Sequence, residues 1–571
     1  MDIFLKIFAI IKAIKPDKIH PNILIEPYSD SEAGNMKIPT PIILPITRLI
    51  DCMRFNFSFF ILSIDYPNII FLNLYYLMHT NETKYFIGID LGSSFIKMSL
   101  YDFNNKKEID SITYPKNEME IISQKEGWAE QDPNLWWDNI KQCLKYLKER
   151  NDLSFVKSIG ISYQMHGLVA VDKNGKSLFN SIIWCDSRAI SIGNKALKNL
   201  DNKVISNSLL NSPGNFTASK IRWIKENKPE LYSSIYKFML PGDFIVFKLS
   251  GNITTTPLGL SEGIMWDFGK RNLSMDIIEY FGIEKEKVPK VVPSIGLQDV
   301  VSYDNCMRFG FSESVSIAYR AGDQPNNAFS LSVVSDGEIA ATAGTSAVIY
   351  CVTEKDISDP KNKVNTFLHC NDEKNKKRNG VLLCINGSGI AYSWLRKTLK
   401  FDSYQEMDNI SENVDSSKGL TFFPFGNGSE RLFNNSKSLK SMINGLDFNR
   451  HNDSHIIRAV LEGISFSLCY GIEYLREIGL KVDIIKVGNS NLFKSKIFRE
   501  IFVNISNANL HLYDTNGAMG AARGAALGNG DYKNESEAFS DLKLIEKIIP
   551  LHSKSLEESY NNWKKLLNKL I

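Results

Sequence analysis

The chain has 571 residues, 43% of them hydrophobic and 23% charged, which is ample for a large buried core and excludes collagen-like, fibrous and wholly disordered classes. Lys plus Arg is 67 against 64 Asp plus Glu, a net charge of +3 that argues against a general nucleic-acid binder. Eight scattered cysteines form no CxxC pair, so neither a zinc ribbon nor a disulfide framework is expected, and free thiols point to a reducing, cytoplasmic setting.

In chain order, residues 1–83 stand apart. Phe55 to Met78 is almost continuously apolar and long enough to span a bilayer, but Asp65 and Pro67 sit at its centre. A membrane anchor and an ordered accessory segment compete with the favoured reading, an extension upstream of a true start at Met78. Fold reasoning therefore starts at Lys84, and no membrane association is expected for 84–571. YFIGID (85–90), a Gly-Ser-Ser turn and FIKMSLYD (95–102) read as a β-hairpin. Asp132 to Leu147 reads as an amphipathic helix with Trp136, Ile140, Cys143, Leu144 and Leu147 on one face, and 156–163 as a buried strand. EIAATAGTSAVIYCV (338–352) repeats the hairpin design around Gly-Thr-Ser. Ile456 to Leu475 is a long helix, and GAMGAARGAAL (517–527) is a small-residue helix that lets backbones approach closely. Two hairpins on one plan, with strands alternating with helices, give an α/β class with mixed sheets.

The two turns hold the first chemical signal. A strand ending in Asp and followed by Gly-Ser-Ser presents amides and hydroxyls to a phosphate, and the Asp can hold Mg2+, usually through water. Asp90, Gly92, Ser93 and Ser94 fit this role, with Gly344, Thr345 and Ser346 as the matching cradle. Either turn alone is more simply an ordinary tight turn; the pair favours phosphate binding. No GxxxxGK[ST] run supports a P-loop.

Seven segments then occur in order: YFIGIDLGSSFIK (85–97), EGWAEQDPNLWW (126–137), ISYQMHG (161–167), IIWCDSR (182–188), AGDQPNNA (321–328), TAGTSA (342–347) and GAMGAARGAA (517–526). Together they resemble the FGGY family of carbohydrate kinases, and within it the xylulokinases, from residue 85 to the C-terminal region. The resemblance implies two actin-like (ribonuclease-H-like) domains with an active-site cleft between them. It assigns 84–318 to sugar binding and 319–571 to ATP binding, with a C-terminal helical segment. It also implies ATP with Mg2+ and γ-phosphoryl transfer to a sugar hydroxyl, with a homodimer as a frequent state of relatives; the sequence itself carries no interface signature.

A sugar alcohol is a poor nucleophile, so a carboxylate within hydrogen-bond reach has to accept its proton. Asp323, in a Gly/Pro/Asn-rich loop, matches the family's catalytic Asp; an Asx-turn carboxylate is the competing reading. Gln324 resembles the adjacent sugar contact. Met165 and His166 match the xylulokinase pair that touches the ketose, and Trp184, Asp186 and Arg188 lie in another sugar-side motif, where Asp186 and Arg188 equally read as a structural ion pair. Trp128, Trp136 and Trp137 read as packing. The adenosine region departs from the common Gly-Gly-Gly-Ala run: the strand IIKV (484–487) leads into Gly488, Asn489, Ser490 and Asn491, a compact turn that still offers hydrogen bonds. The start of the 517–526 helix lies either along the nucleotide or in a packing seam.

The expected function is phosphorylation of D-xylulose to D-xylulose 5-phosphate, with Asp323 as base and Asp90 at the metal. Kinases of L-ribulose, L-fuculose, glycerol or gluconate form the alternative, followed by a non-catalytic sugar or nucleotide sensor. An actin- or Hsp70-like ATPase is disfavoured because no substrate-binding β-domain follows.

Overall fold

A computed structural model describes residues 83–312, 314–426, 431–433 and 439–571. The expected 1–83 extension lies outside them but for its last residue.

The first half is built on a six-stranded sheet. β1 (Tyr85–Leu91) and β2 (Ile96–Asp102) form the expected hairpin, extended by the antiparallel β3 (Lys107–Tyr114). Helix α1 (Pro133–Arg150) follows; Asp132 caps it by accepting from the Asn134 N–H, and Pro133 opens it where no amide bond is lost. It runs three residues past the expected end. Next come β4 (Val156–Tyr163), α2 (Thr217–Asn227), α3 (Pro241–Ser250), the short α4 (Pro257–Glu262), β5 (Ile295–Val300) and β6 (Ser316–Gly322). The strand order is β5-β6-β4-β1-β2-β3, with β1, β4 and β6 parallel. Helix α5 (Asp323–Ser330) starts directly at the end of β6. The loop expected around Asp323 is thus the first turn of a helix. Pro325 is tolerated there because first-turn amides have no partner inside the helix.

The second half repeats the plan. β7 (Ile339–Ala343) and β8 (Ala347–Thr353) make the second hairpin, flanked by β9 (Asn365–Leu368) and β10 (Asn379–Ile385). They are followed by α6 (Gly389–Leu399), α7 (Asp453–Glu477), β11 (Ile484–Gly488), α8 (Lys496–Ser506), β12 (Asn509–Tyr513), α9 (Gly517–Gly528), β13 (Leu544–Ile548) and α10 (Lys554–Leu567). The sheet order is β9-β10-β8-β7-β11-β12-β13, again with an antiparallel hairpin joined to parallel strands β7, β11 and β12. This is the two-domain α/β architecture of actin-like, ribonuclease-H-like proteins. Helix α7 is long and apolar enough to cross a membrane, but 83% of its most apolar window is buried inside this half, as a core helix. Among the described residues, Cys143, Cys185, Cys351, Cys370 and Cys469 are free thiols.

Alternation along β1 decides what faces what. Ile87, Ile89 and Leu91 point into the core shared with Trp136, Ile140 and Leu144 of α1, where each large apolar side chain contributes about 1.5–3 kcal/mol. Gly88 points the other way, paired in register with Gly160 of β4. Onto these two glycines lies α9. A Cβ on Gly88 would sit 1.8 Å from the Ala518 carbonyl oxygen, and one on Gly160 2.0 Å from that of Ala521. The small-residue helix from the second half is therefore a packing seam against the first sheet. The exchange is mutual. Ala328 and Phe329 of α5 share a core with Ala340, Val348 and Tyr350 of the second sheet. On β9, the Leu368 amide donates to Ser261 Oγ of α4 at 2.8 Å.

Candidate active site

Strands β1, β4 and β6 run parallel and in register, with Leu91 and Gly322 both opposite Tyr163. Whatever follows them emerges at one edge of the sheet: Asp90 and the 92–95 turn, the 164–167 segment, and Asp323. In α/β sheets that carboxyl edge is where ligands bind.

Asp90 is on the Gly88 face. Its Oδ1 accepts from the Ser162 hydroxyl at 2.9 Å, across the strand pairing. Its Oδ2 lies 2.6 Å from where a Cβ on Gly517 would stand, so the start of α9 meets it with a bare backbone. Burial raises the Asp90 pKa, and Lys97 and Ser162 counter it. In the adjoining turn the Gly92 amide donates to the Phe95 carbonyl at 3.0 Å. Gln131 donates to the Ser93 carbonyl at 2.7 Å, and the half-exposed Trp184 reaches Ser93 Oγ from 3.4 Å.

Asp323 opens α5 beside these groups. Burial, and then the negative charge of Asp90, push its pKa up to about 7. A negative charge nearby disfavours ionisation of a carboxyl. A third carboxyl, Glu262 at the end of α4, is buried near the Gly322 backbone. Burial raises its pKa well above the usual range, the Tyr163 hydroxyl opposes this, and the Asp323 charge adds to it. A Cβ on Gly322 would come 2.6 Å from both Glu262 Oε2 and Met165 Cγ, so glycine before Asp323 is a requirement of space.

Met165 is thus buried against the turn that carries Asp323. His166 follows in the left-handed region, φ +60°, uncommon for a residue with a side chain. Its Nδ1 lies 2.9 Å from the Glu262 carbonyl oxygen. A carbonyl only accepts, so Nδ1 carries the proton and Nε2 is left as an acceptor. Burial, and then the charge of Lys220, lower the His166 pKa to about 3, which keeps the ring neutral. The ring packs against Phe216 at 4.8 Å and Phe367 of β9 at 5.4 Å.

Arg188 is differently placed. Its guanidinium bonds Asp186 at 2.6 Å and Glu130 at 2.7 Å and stacks 3.8 Å above Trp128, so the structural ion pair is formed. Trp136 and Trp137 are core residues.

At the second sheet, Gly344, Thr345 and Ser346 form the β7–β8 turn. The Gly389 and Ile390 amides, at the start of α6, donate to the carbonyls of Gly344 (2.8 Å) and Thr345 (3.2 Å). A Cβ on Gly344 would be 3.4 Å from Asn491 Nδ2, which places the 488–491 turn alongside. There the Asn489 amide donates to the Tyr513 carbonyl at 2.9 Å, and Asn491 takes φ +52°. The 344–346 and 488–491 turns, nearly 150 residues apart in the chain, are neighbours because β7 and β11 pair in parallel.

Among the described residues no group of three or more His, Cys, Asp or Glu is placed to hold a metal by itself. Asp90, with the Ser162 hydroxyl beside it, suits Mg2+ arriving on a nucleotide, since that ion keeps waters and phosphate ligands. Sequence reasoning missed Ser162, Glu262 and Lys220. Only Ser162 left a signal, two residues before QMHG on a strand paired with β1.

The pattern described as the N-terminal domain of the FGGY family of carbohydrate kinases matches residues 85–330, and that of its C-terminal domain residues 339–528. A xylulose kinase of Haemophilus influenzae is 28% identical over 505 residues, covering 85% of this chain and all of that protein. One of Bacillus subtilis is 30% identical over 476 residues, covering 80% and 90%. Among solved structures, a ligand-bound xylulose kinase from Lactobacillus acidophilus superposes with TM-score 0.77 at 23% identity, over 85% of this chain and 98% of that one. A gluconate kinase from the same species and a Plasmodium falciparum glycerol kinase with ADP each give 0.76, at 23% and 21% identity, over 86% and 98% of the respective chains.

Proposed function

We propose that this chain, which belongs to the FGGY family of carbohydrate kinases and is an ATP-dependent sugar kinase, takes D-xylulose as its acceptor and uses Asp323 as general base. The observation that carries the reading is the shared sheet edge: Asp323, Asp90, Met165 and His166 leave three parallel strands side by side.

The acceptor hydroxyl lies within reach of the Asp323 carboxylate, which takes its proton as the oxygen bonds to the γ-phosphorus. The bond from that phosphorus to the β–γ bridging oxygen breaks, and ADP leaves with the electron pair. A pKa near 7 suits this task, being close to the operating pH. Beyond that transfer, catalysis is positioning and charge neutralisation. The neutral His166 accepts a sugar hydroxyl at Nε2, Met165 gives an apolar wall, and Gln324 and Trp184 complete the sugar side. With the Gly92 amide closing its own turn, Ser93 and Ser94 offer amides and hydroxyls to the phosphates together with Gly344–Ser346, while Gly488, Asn489 and Asn491 border the adenosine. Mg2+, when bound, neutralises phosphate charge, and Asp90 would hold it, usually through water. The first half binds sugar and the second ATP.

The acceptor is favoured by the QMHG segment and by relatives named for xylulose. The test is ADP release from the purified chain with D-xylulose, L-ribulose, L-fuculose, glycerol and gluconate. A preference for D-xylulose in kcat/KM supports the reading, preference for another acceptor replaces the substrate, and sugar-independent ADP release rejects it.

A further inference from the structure

Lys220, in the first turn of α2, is completely buried. Taking an ammonium out of water costs several kcal/mol, and such groups are usually paired with carboxylates. Lys220 instead donates to two neutral backbone oxygens, the His166 carbonyl at 2.8 Å and the Ile183 carbonyl at 2.9 Å. Asp186 and Glu262 act on it only through space. Burial lowers its pKa to about 8, which leaves it mainly protonated at neutral pH.

Both acceptors belong to sugar-side segments. One is the carbonyl of His166 itself, whose left-handed backbone costs on the order of 1–3 kcal/mol unless its surroundings hold it. The other immediately precedes Trp184. Residues around Lys220 grip the same segments. Asn215 donates to the Asp186 carbonyl, the Phe216 ring packs on His166, and the Thr217 hydroxyl reaches the Gly167 carbonyl at 3.4 Å. With Nδ1 tied to Glu262 and the carbonyl tied to Lys220, the direction of Nε2 is set from both ends.

We propose that Lys220 is a positioning residue for sugar recognition: its ammonium clamps the 165–167 and 183–188 segments together and so aims His166 Nε2 at the acceptor. This rests on the sugar-kinase reading and adds to it a residue that itself touches neither substrate.

The test is Lys220→Met in the full chain, assayed with whichever sugar the wild type phosphorylates. Losing the clamp should raise the sugar KM by about fivefold to tenfold, as much as losing the His166 hydrogen bond itself, with ATP KM and kcat within about twofold. The second variant, Lys220→Ala, leaves room for a small cation. Ethylammonium in the assay should recover a large part of its sugar KM and leave the wild type unaffected. An unchanged sugar KM in K220M overturns the inference, as does a parallel rise in both KM values with no amine recovery, the mark of a general packing role. If K220M does not fold, the K220A recovery decides alone. A wild type that phosphorylates no sugar removes the kinase reading and this inference with it; an active wild type indifferent to K220M removes this inference only.

Discussion

The carboxyl edges of the two sheets share one topology and differ in charge. At the first, Asp90, Asp323 and Glu262 each have a raised pKa, and His166 is held neutral in a left-handed backbone. At the second, the segments 344–346, 386–389 and 488–491 contain only Gly, Ser, Thr and Asn, and the acid at this edge, Asp514, directly follows β12. On the proposed function, one repeated scaffold does two jobs through its turn residues. Moving a proton needs a carboxylate whose affinity for it has been raised. Holding a polyphosphate needs donors without negative charge. The glycine seam beneath α9 brings the start of that helix to Asp90, and so joins the two edges.

The largest effect expected of this contrast is at Asp323. Asp323→Asn should lower kcat about 10²–10⁴-fold while the sugar KM moves little, measured by coupled ADP release; near-normal turnover would mean the charged edge is not where the chemistry occurs. At the neutral edge, Gly389→Val puts a side chain where a Cβ is already 2.3 Å from the Gly344 carbonyl oxygen. Displacing that turn should raise the ATP KM about tenfold and leave the sugar KM alone, since overpacking distorts what it touches by about 1–3 kcal/mol. A sugar KM that rose instead would exchange the roles of the two edges. His166→Ala should produce the mirror result, a sugar KM up by about fivefold to tenfold at constant ATP KM, from one lost hydrogen bond of about 1 kcal/mol.

The smallest effect is in pH. A base with a raised pKa works above that value and is lost as protons are added, so kcat/KM for the sugar should fall as pH drops through about 7. The Asp90 charge is the second cause of that rise, after burial. Asp90→Asn should therefore move this acid limb to lower pH, whatever it does to the maximum rate, whereas Gly389→Val should leave it in place. A limb that ignored Asp90 would uncouple the two carboxyls.

Much of this was legible because its signals are local. The hairpins around Gly92 and Gly344, the helix starting at Asp132 and the strand 156–163 follow from apolar runs, small-residue turns and a capping Asp within a few residues of one another. Asp90 was found on the same basis, as an acid ending an apolar strand, whereas Asp323 came from its Gly/Pro/Asn-rich segment and its match to the family's catalytic Asp. The loop expected at Asp323 proved to be a helix. Gly, Pro and Asn there look like turn residues, and the first turn of a helix tolerates them for the same reason, its unbonded amides. Arg188 could not be resolved by pattern, since Asp-Ser-Arg suits a ligand or an ion pair equally; Glu130 and Trp128 settled its surroundings in space. Glu262 and Lys220 left no pattern.

The sequence by itself determined the strands, their turns and the residue types placed at them, because backbone preference and apolar periodicity act over a few positions. Only the tertiary structure decided which turns became neighbours, that the small-residue helix lies on Gly88 and Gly160, and that a lysine some fifty residues from His166 holds its carbonyl. Those outcomes depend on strand order and on backbone surfaces close enough to exclude a single methyl group, and neither is encoded within any short stretch of chain.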